Sequence, residues 1–224
     1  MPIDQAARLF EDALWAARLF AVDPVGSGGI ALRAQPGPAR DTWLRCLRRL
    51  LPETIPIVRV PLHVGEDRLL GGLDLAATLS AGRPVAERGL LAAAHDGVLQ
   101  IAMAERQAMA TVSSVAAAID QRRLVVERDG ITLDHPACFG VRALDEGIEP
   151  DEGIPHSLPD RLAVWLDLKA ATPRSAPAAE TTITDADRRN VLAARSALSS
   201  IALGEDVVEA RVSTAMALGV ASLR

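Results

Sequence analysis

A glycine-rich segment at residues 23–30, DPVGSGGI, has the spacing of a phosphate-binding loop. The apolar run at 19–22 precedes it and predicts a strand that leads into the loop. In the pattern G-x-x-x-x-G-K-[ST], backbone amides cradle phosphates, the lysine reaches the β and γ oxygens, and the hydroxyl holds Mg²⁺. The candidate phosphate-binding residues are therefore Gly26, Ser27, Gly28 and Gly29.

The chemistry of this loop is incomplete, because three positions of the pattern carry other residue types. Asp23 replaces the first glycine, Gly29 replaces the lysine and Ile30 replaces the serine or threonine. A carboxylate beside a phosphate repels it, and neither glycine nor isoleucine supplies a cation or a metal ligand. ATP binding is thus expected to be weak or absent, and a glycine-rich turn without a ligand is the alternative interpretation.

The composition excludes several classes of function. The chain of 224 residues has a net charge of −5, with three Phe, three Trp and no Tyr, which disfavours nucleic-acid binding. Cys46, Cys138 and the four histidines lack the spacing of metal ligands, so no metal site is expected. No signal segment and no apolar run long enough to span a membrane occur, which predicts a cytoplasmic protein.

Strands alternate with helical stretches along the chain, which predicts an α/β fold with a mostly parallel sheet flanked by helices. The Asp129-Gly130 pair predicts a tight hairpin turn between 124–128 and 131–133. The other predicted strands are 19–22, 57–60, 98–102, 139–144 and 162–168. The predicted helices are 3–18, 41–51, 73–79, 86–94, 107–121, 185–199 and 207–217.

Composition also predicts the domain organisation. Residues 1–169 form the predicted core, and the small, proline-bearing segment 170–183 has the composition of a linker. Residues 184–224 contain only predicted helices and form a small helical lid. An apolar helix ends just before Arg224, which suggests that the natural protein continues.

Several ordered segments between about residue 19 and the end resemble an AAA+ module, and in detail the AAA+ subunits of magnesium chelatase. The matching segments are EDR at 66–68, GLDL at 72–75, GLLAAA at 89–94, GVL at 97–99, VERDGI at 126–131, HPACF at 135–139 and LPDRL at 158–162. The resemblance implies an AAA+ P-loop type core with a small C-terminal helical lid.

Departures from that family indicate which subunit the chain resembles. Ala102 and Met103 stand at the Walker B carboxylates, and Glu146 stands at the sensor 1 asparagine. With the lost lysine and hydroxyl, four parts of the phosphoryl-transfer apparatus are missing. In this loss of catalytic groups, the chain resembles the N-terminal AAA+ region of the D subunit.

The resemblance implies a scaffold and trans-activator rather than an ATPase. Its partners would be the ATP-hydrolysing AAA+ subunit and the porphyrin-binding catalytic subunit, and Mg²⁺ would be the substrate of the whole complex. Two other hypotheses remain open from the sequence. They are an active P-loop NTPase with an unconventional loop, and an AAA+-like adaptor unrelated to chelation.

Three groups of charged residues have two interpretations each. Arg161 resembles a trans-acting arginine finger, and the alternative is a surface ion pair with Asp160. Arg224 resembles the sensor 2 arginine of the lid, although it is vestigial if the site is dead. Arg45, Arg48 and Arg49 crowd one predicted helix, where a solvated face is expected rather than an anion site.

Overall fold

A five-stranded parallel sheet forms the centre of the fold, with the strand order β2-β5-β8-β1-β9. The computed structural model describes residues 3–128, 130–149, 151–171, 183–202 and 204–219. The strands of this sheet are β1 (Gly29–Arg33), β2 (Ile57–Val60), β5 (Gly97–Ile101), β8 (Phe139–Asp145) and β9 (Val164–Asp167). The prediction of a parallel α/β sheet is confirmed.

Two small antiparallel pairs lie outside this sheet. They are β3 (Gly71–Leu73) with β4 (Ala86–Arg88), and the hairpin of β6 (Arg123–Arg128) with β7 (Ile131–Pro136). The α-helices are α1 (Ile3–Val22), α2 (Pro38–Leu50), α3 (Glu66–Leu70), α4 (Leu75–Ala81), α5 (Leu90–Ala93), α6 (Met109–Gln121), α7 (Asp185–Ala197) and α8 (Glu205–Ala217).

Helices cover both faces of the sheet because neighbouring residues of each strand point to opposite sides. Ile30 and Leu32 of β1 face a core shared with α1, α2 and α7. Ala31, between them, faces a second core shared with α3, α5 and α6. A strand buried on both sides has no polar alternation, which is typical of a parallel sheet.

The strand predicted at 19–22 is wrong, because these residues form the last turn of α1. The helical period continues through them, since Phe20 and Ala21 are fully buried whereas Leu19 is 66% exposed. The strand of this region is instead β1, which follows the glycine-rich segment, lies between β8 and β9 in the sheet and was not predicted. Its five residues, GIALR, are too few to reveal a period.

The helix predicted at 86–94 is also wrong over its first half. Residues 86–88 pair with β3 as β4, and only Leu90–Ala93 is helical. Gly89 separates the two elements, and a Cβ at this position would lie 2.2 Å from the carbonyl carbon of Leu70. This close backbone approach requires glycine, and it ends the strand.

Helix α2 is anchored to α1 through Trp43. Pro38 stands in the first turn of α2, where its missing N–H is no loss. The indole of Trp43 is fully buried, and its Nε1 donates a hydrogen bond to the carbonyl oxygen of Ala13 at 2.8 Å. This contact between α1 and α2 therefore fixes the position of the segment between β1 and α2.

Helix α7 packs against the end of α1. It begins with a capping box between Thr184 and Asp187, and Asp187 also pairs with Arg18 at 3.1 Å. The Nη1 atom of Arg195 donates to the carbonyl oxygen of Ala21 at 2.6 Å. Residues 172–182 of the predicted linker lie outside the described residues, so the predicted division into core, linker and lid stays a prediction.

Candidate functional site

The carboxyl ends of β1, β5 and β8 meet at one edge of the sheet. Open α/β sheets bind their ligands at this edge, where loops leave the strands and helices begin. The strands end at Arg33, Ile101 and Asp145. The residues that follow these three ends therefore form the candidate nucleotide edge.

The segment between β1 and α2 has the context that a phosphate-binding loop requires, a strand before it and a helix after it. Its sequence, AQPGPARD at residues 34–41, fits the spacing G-x-x-x-x-G-K-[ST] with Ala34 and Ala39 at the glycines. Arg40 then stands at the lysine and Asp41 at the hydroxyl. The cation is kept, whereas the metal-binding hydroxyl is replaced by a carboxylate.

Arg40 is already neutralised by a carboxylate of its own chain. Its Nη1 lies 2.6 Å from Oε1 of Glu146, and the two side chains are only 14% and 18% exposed. Gln35 also donates from Nε2 to the carbonyl oxygen of Glu146. A phosphate at this edge would have to displace the carboxylate that Arg40 now holds.

Two further contacts hold the Glu146 loop in place. The backbone N–H of Glu146 donates to Oε2 of Glu105 at 3.0 Å. Arg33 donates from Nη2 to the carbonyl oxygen of Glu149 at 2.6 Å, and its Nε lies 3.8 Å from Oδ2 of the buried Asp145. Charge at this edge is therefore balanced internally.

The prediction missed Arg33, Gln35, Arg40 and Glu105 because it placed the strand one segment too early. The signal that could have found them is the loop spacing at 34–41, which comes directly after a short apolar strand and before a helix opened by proline. The end of β5 agrees with the prediction in one respect, since Ala102 and Met103 supply no carboxylate there.

The structure places Gly26, Ser27, Gly28 and Gly29 at the opposite edge, where the strands of the sheet begin. A helix precedes this turn and a strand follows it, so the strand-loop-helix context assumed for a phosphate loop is absent. The N–H of Gly26 donates to Oδ1 of Asp23 at 2.7 Å. The N–H of Gly26 is thus used by a hydrogen bond within the turn and is not directed at a ligand.

These glycines instead make room for the segment that carries Arg161. Gly28 has φ +65°, and a Cβ there would lie 2.0 Å from the carbonyl oxygen of Arg161. The chain continues into β9 through a hydrogen bond of 3.1 Å from the N–H of Ala163 to the carbonyl oxygen of Ser27. Two predicted site elements, distant in sequence, are therefore neighbours.

Arg161 lies in a 3-10 turn, Pro159–Arg161, on the wall of a cleft of about 620 Å³. Its Nε donates to Oδ1 of Asp120 at 2.9 Å, and its Nη1 donates to the carbonyl oxygen of Ser157 at 2.5 Å. The hydrogen bonds with Asp120 raise the pKa of Arg161 further above its already high ordinary value. Arg161 is therefore a fixed cation, paired with Asp120 rather than with Asp160.

Arg224 lies outside the described residues, so its predicted role remains a prediction. Among the helices of the described ranges, none is long and apolar enough to cross a membrane. Within the same ranges, no group of three or more His, Cys, Asp or Glu side chains could hold a metal ion.

Comparison with known proteins finds several magnesium-chelatase subunits among the relatives of this chain. The chain is 40% identical over 206 residues to the magnesium-chelatase 60 kDa subunit of Cereibacter sphaeroides, covering 92% of this chain and 32% of that subunit. It therefore spans about a third of the length of this curated relative. No protein-family model matches the chain.

Solved structures agree with this result. A cryo-electron-microscopy-based model of the complex between subunits BchI and BchD of magnesium chelatase superposes with a TM-score of 0.58 at 27% identity, covering 84% of this chain and 73% of that chain. The crystal structure of a putative ATPase from Cytophaga hutchinsonii superposes with a TM-score of 0.61 at 13% identity. The match covers 96% of this chain and 69% of that chain, and at this identity it supports the fold alone. Over the region that it shares with them, the chain is a homologue of the D subunits of magnesium chelatase and has an AAA+ core.

Proposed function

We propose that this chain is a non-hydrolysing AAA+ subunit of magnesium chelatase, acting as scaffold and trans-activator of an ATP-hydrolysing AAA+ partner. The complex would insert Mg²⁺ into protoporphyrin IX on the way to chlorophyll or bacteriochlorophyll, in the cytoplasm, with a separate porphyrin-binding catalytic subunit. Mg²⁺ is the substrate of that complex. Homology to the 60 kDa subunits and the solved BchI and BchD complex support the family role.

The observation that carries the non-hydrolysing role is the chemistry at the candidate nucleotide edge. Asp41 stands where a hydroxyl would hold Mg²⁺, and Ala102 and Met103 follow β5 where carboxylates would activate water. Arg40 is a cation in the right segment, but Glu146 holds it. The edge keeps the fold of a nucleotide site and lacks the groups that transfer a phosphoryl group.

We expect the purified chain to hydrolyse ATP no faster than a protein-free buffer. Water activation needs a carboxylate at the two positions that directly follow β5, and these carry Ala102 and Met103. The nearby Glu105 does not replace them, because its side chain is 2% exposed and is held by the N–H of Glu146 and by Arg106. Phosphate release with ATP and Mg²⁺ measures the rate, and turnover near 1 s⁻¹, at the low end of about 1–100 s⁻¹ for kinases, would contradict the proposal. The double variant Arg40→Lys with Asp41→Ser restores the lysine and the hydroxyl of the loop but leaves Ala102 and Met103 unchanged. We therefore expect it to stay inactive.

We further expect Glu146→Gln to strengthen the binding of pyrophosphate at least tenfold. The wild-type chain should bind ATP or pyrophosphate no more tightly than about 10–100 μM, because Arg40 is occupied. The amide keeps the size of the side chain and removes the charge, so Nη1 of Arg40 becomes available to the anion, while its Nε keeps only the longer contact of 3.9 Å with Oδ1 of Asp41.

Isothermal titration calorimetry of the two proteins with pyrophosphate tests this expectation. Glu149→Gln is the matched control, because Glu149 lies exposed in the same loop and its side chain makes no described contact with Arg40. Equal affinities for wild type and Glu146→Gln, or submicromolar binding by the wild type, would refute the blocked site.

A further inference from the structure

Four arginines lie on the side of the sheet that carries α2. We call them the arginine face: Arg45 and Arg48 of α2, Arg59 of β2, and Arg142 of β8. Arg59, Gln100 and Arg142 are paired in register across β2, β5 and β8, so they form a row.

The direction of this row follows from the neighbours of each member. Val58 and Val60 pack into the second core, as do the residues on either side of Arg142, so Arg59 and Arg142 point to the opposite side. Arg48 reaches the same region, since its Nη1 donates to the carbonyl oxygen of Ile55, just before β2, at 3.4 Å. Arg48 is also close enough to Arg142 to repel its charge.

The arginine face has no acidic counterpart within the described part of the chain. Its described contacts are all with neutral oxygens, from Arg45 to Thr42, from Arg48 to Ile55 and from Arg142 to Gln100. Eight other arginines of the described ranges lie within 4.0 Å of a carboxylate, namely Arg18, Arg33, Arg40, Arg106, Arg123, Arg128, Arg161 and Arg188. Others, such as Arg88 and Arg195, donate to backbone carbonyl oxygens instead. The arginine face is therefore distinguished by its grouping of four such cations, one of them buried.

Arg142 makes this arrangement unfavourable for the isolated chain. It is only 5% exposed, and its buried Nε has no hydrogen-bond partner in the described residues. Burial, with the repulsion from Arg48, lowers the pKa of Arg142 to about 10. Such a buried guanidinium is stabilised by a carboxylate, and the described chain does not provide one.

We propose that the arginine face is a docking surface for an acidic segment of a partner protein, whose carboxylates bind the exposed Arg48 and Arg59 and neutralise the field around Arg142. Charge complementarity carries this assignment, because the surface concentrates unpaired positive charge on an otherwise acidic protein. Arg59 and Arg48 are exposed, so they are open to a partner. This inference is independent of the nucleotide edge.

A segment with several carboxylates is favoured over one small anion because Arg45, Arg48 and Arg59 are separate exposed cations on two different elements, and each can take a carboxylate of its own. A nucleic acid is disfavoured because no aromatic side chain accompanies the arginines along the row, where bases would need one to stack on.

The test uses the 224-residue chain and a fluorescein-labelled decapeptide of alternating glutamate and serine, measured by fluorescence anisotropy in 50 mM salt. We expect the double variant Arg48→Glu with Arg59→Glu to bind the peptide at least tenfold more weakly than wild type. Arg83→Glu with Arg211→Glu is the matched control, because it makes the same change of charge at exposed sites elsewhere. This control should keep at least half of the wild-type affinity.

Thermal unfolding separates docking from a structural role. Arg48→Glu places a carboxylate near Arg142, so we expect the Tm of the free chain to rise by about 2–4 °C while peptide binding falls. Three results would overturn the proposal. They are equal loss of binding in the control, no binding by wild type at 1 mM peptide, or a decathymidylate that binds more tightly through the same arginines.

Discussion

Arg161→Ala should lower ATP hydrolysis by the reconstituted complex at least tenfold, which corresponds to about 1.4 kcal/mol of transition-state stabilisation. An arginine supplied by a neighbouring subunit neutralises charge on the transferred phosphoryl group, and such a finger is worth up to about 10³–10⁵ in rate. Arg161 stands just before β9, beside the cleft and away from the candidate nucleotide edge of its own chain. Any catalytic value of this side chain would therefore be realised in the site of a partner.

The ion pair with Asp120 provides the control for this experiment. If Arg161 only stabilises the fold, Asp120→Asn should also lower hydrolysis, because it weakens the same ion pair, although Arg161→Ala removes the hydrogen bond to Ser157 as well. If Arg161 acts in trans, Asp120→Asn should leave hydrolysis at the wild-type rate or above, since it releases the guanidinium. Rates of the mixed full-length complex at saturating subunit decide between these results, and equal rates for Arg161→Ala and wild type would leave the chain as a scaffold only.

Trp43→Ala should lower the free energy of unfolding by about 3–5 kcal/mol, the usual cost of removing a buried large aromatic side chain. The substitution leaves a cavity between α1 and α2 and removes the hydrogen bond to the carbonyl oxygen of Ala13. Because native domains are stable by only about 5–15 kcal/mol, much of the chain population would unfold on mild heating.

Urea titration followed by circular dichroism measures this effect. Trp165→Ala is the matched control, because Trp165 is 54% exposed on β9 and its loss should change stability by about 0.5 kcal/mol or less. A change below 1 kcal/mol in Trp43→Ala would show that α1 and α2 are not held together by this contact.

The sheet and its order of elements could be anticipated from the sequence, because residues 57–60, 98–102 and 139–144 are short apolar runs separated by helical periods. The strand at residues 29–33 could not, because three of its five residues are small or charged. The helix before it ends in the apolar run 19–22, which fits a strand and a helix equally well. Only packing against α2 and α7 decides this ambiguity in favour of a helix.

The site was predicted less completely than the fold, and for the same reason. A shift of one element moved the loop spacing from residues 34–41 to residues 23–30, so Arg40 and its pair with Glu146 were missed. Glu146 itself was found through the resemblance, which does not depend on the position of a strand. The contact between Gly28 and Arg161 joins segments far apart in sequence, and no local pattern encodes it.

The position of β1 inside the sheet, between β8 and β9, also determines when the protein can fold. Gly29 pairs with Val141 and Ile30 pairs with Val164, so both neighbours of β1 are made more than a hundred residues later. At about 5–20 residues per second, the strand waits roughly 5–20 s during synthesis with both edges unpaired. The hairpin of β6 and β7 closes locally within this interval, whereas the sheet core cannot form until β8 and β9 have emerged. Nascent chains shorter than about 170 residues therefore expose an apolar strand, and they are the species most prone to aggregate.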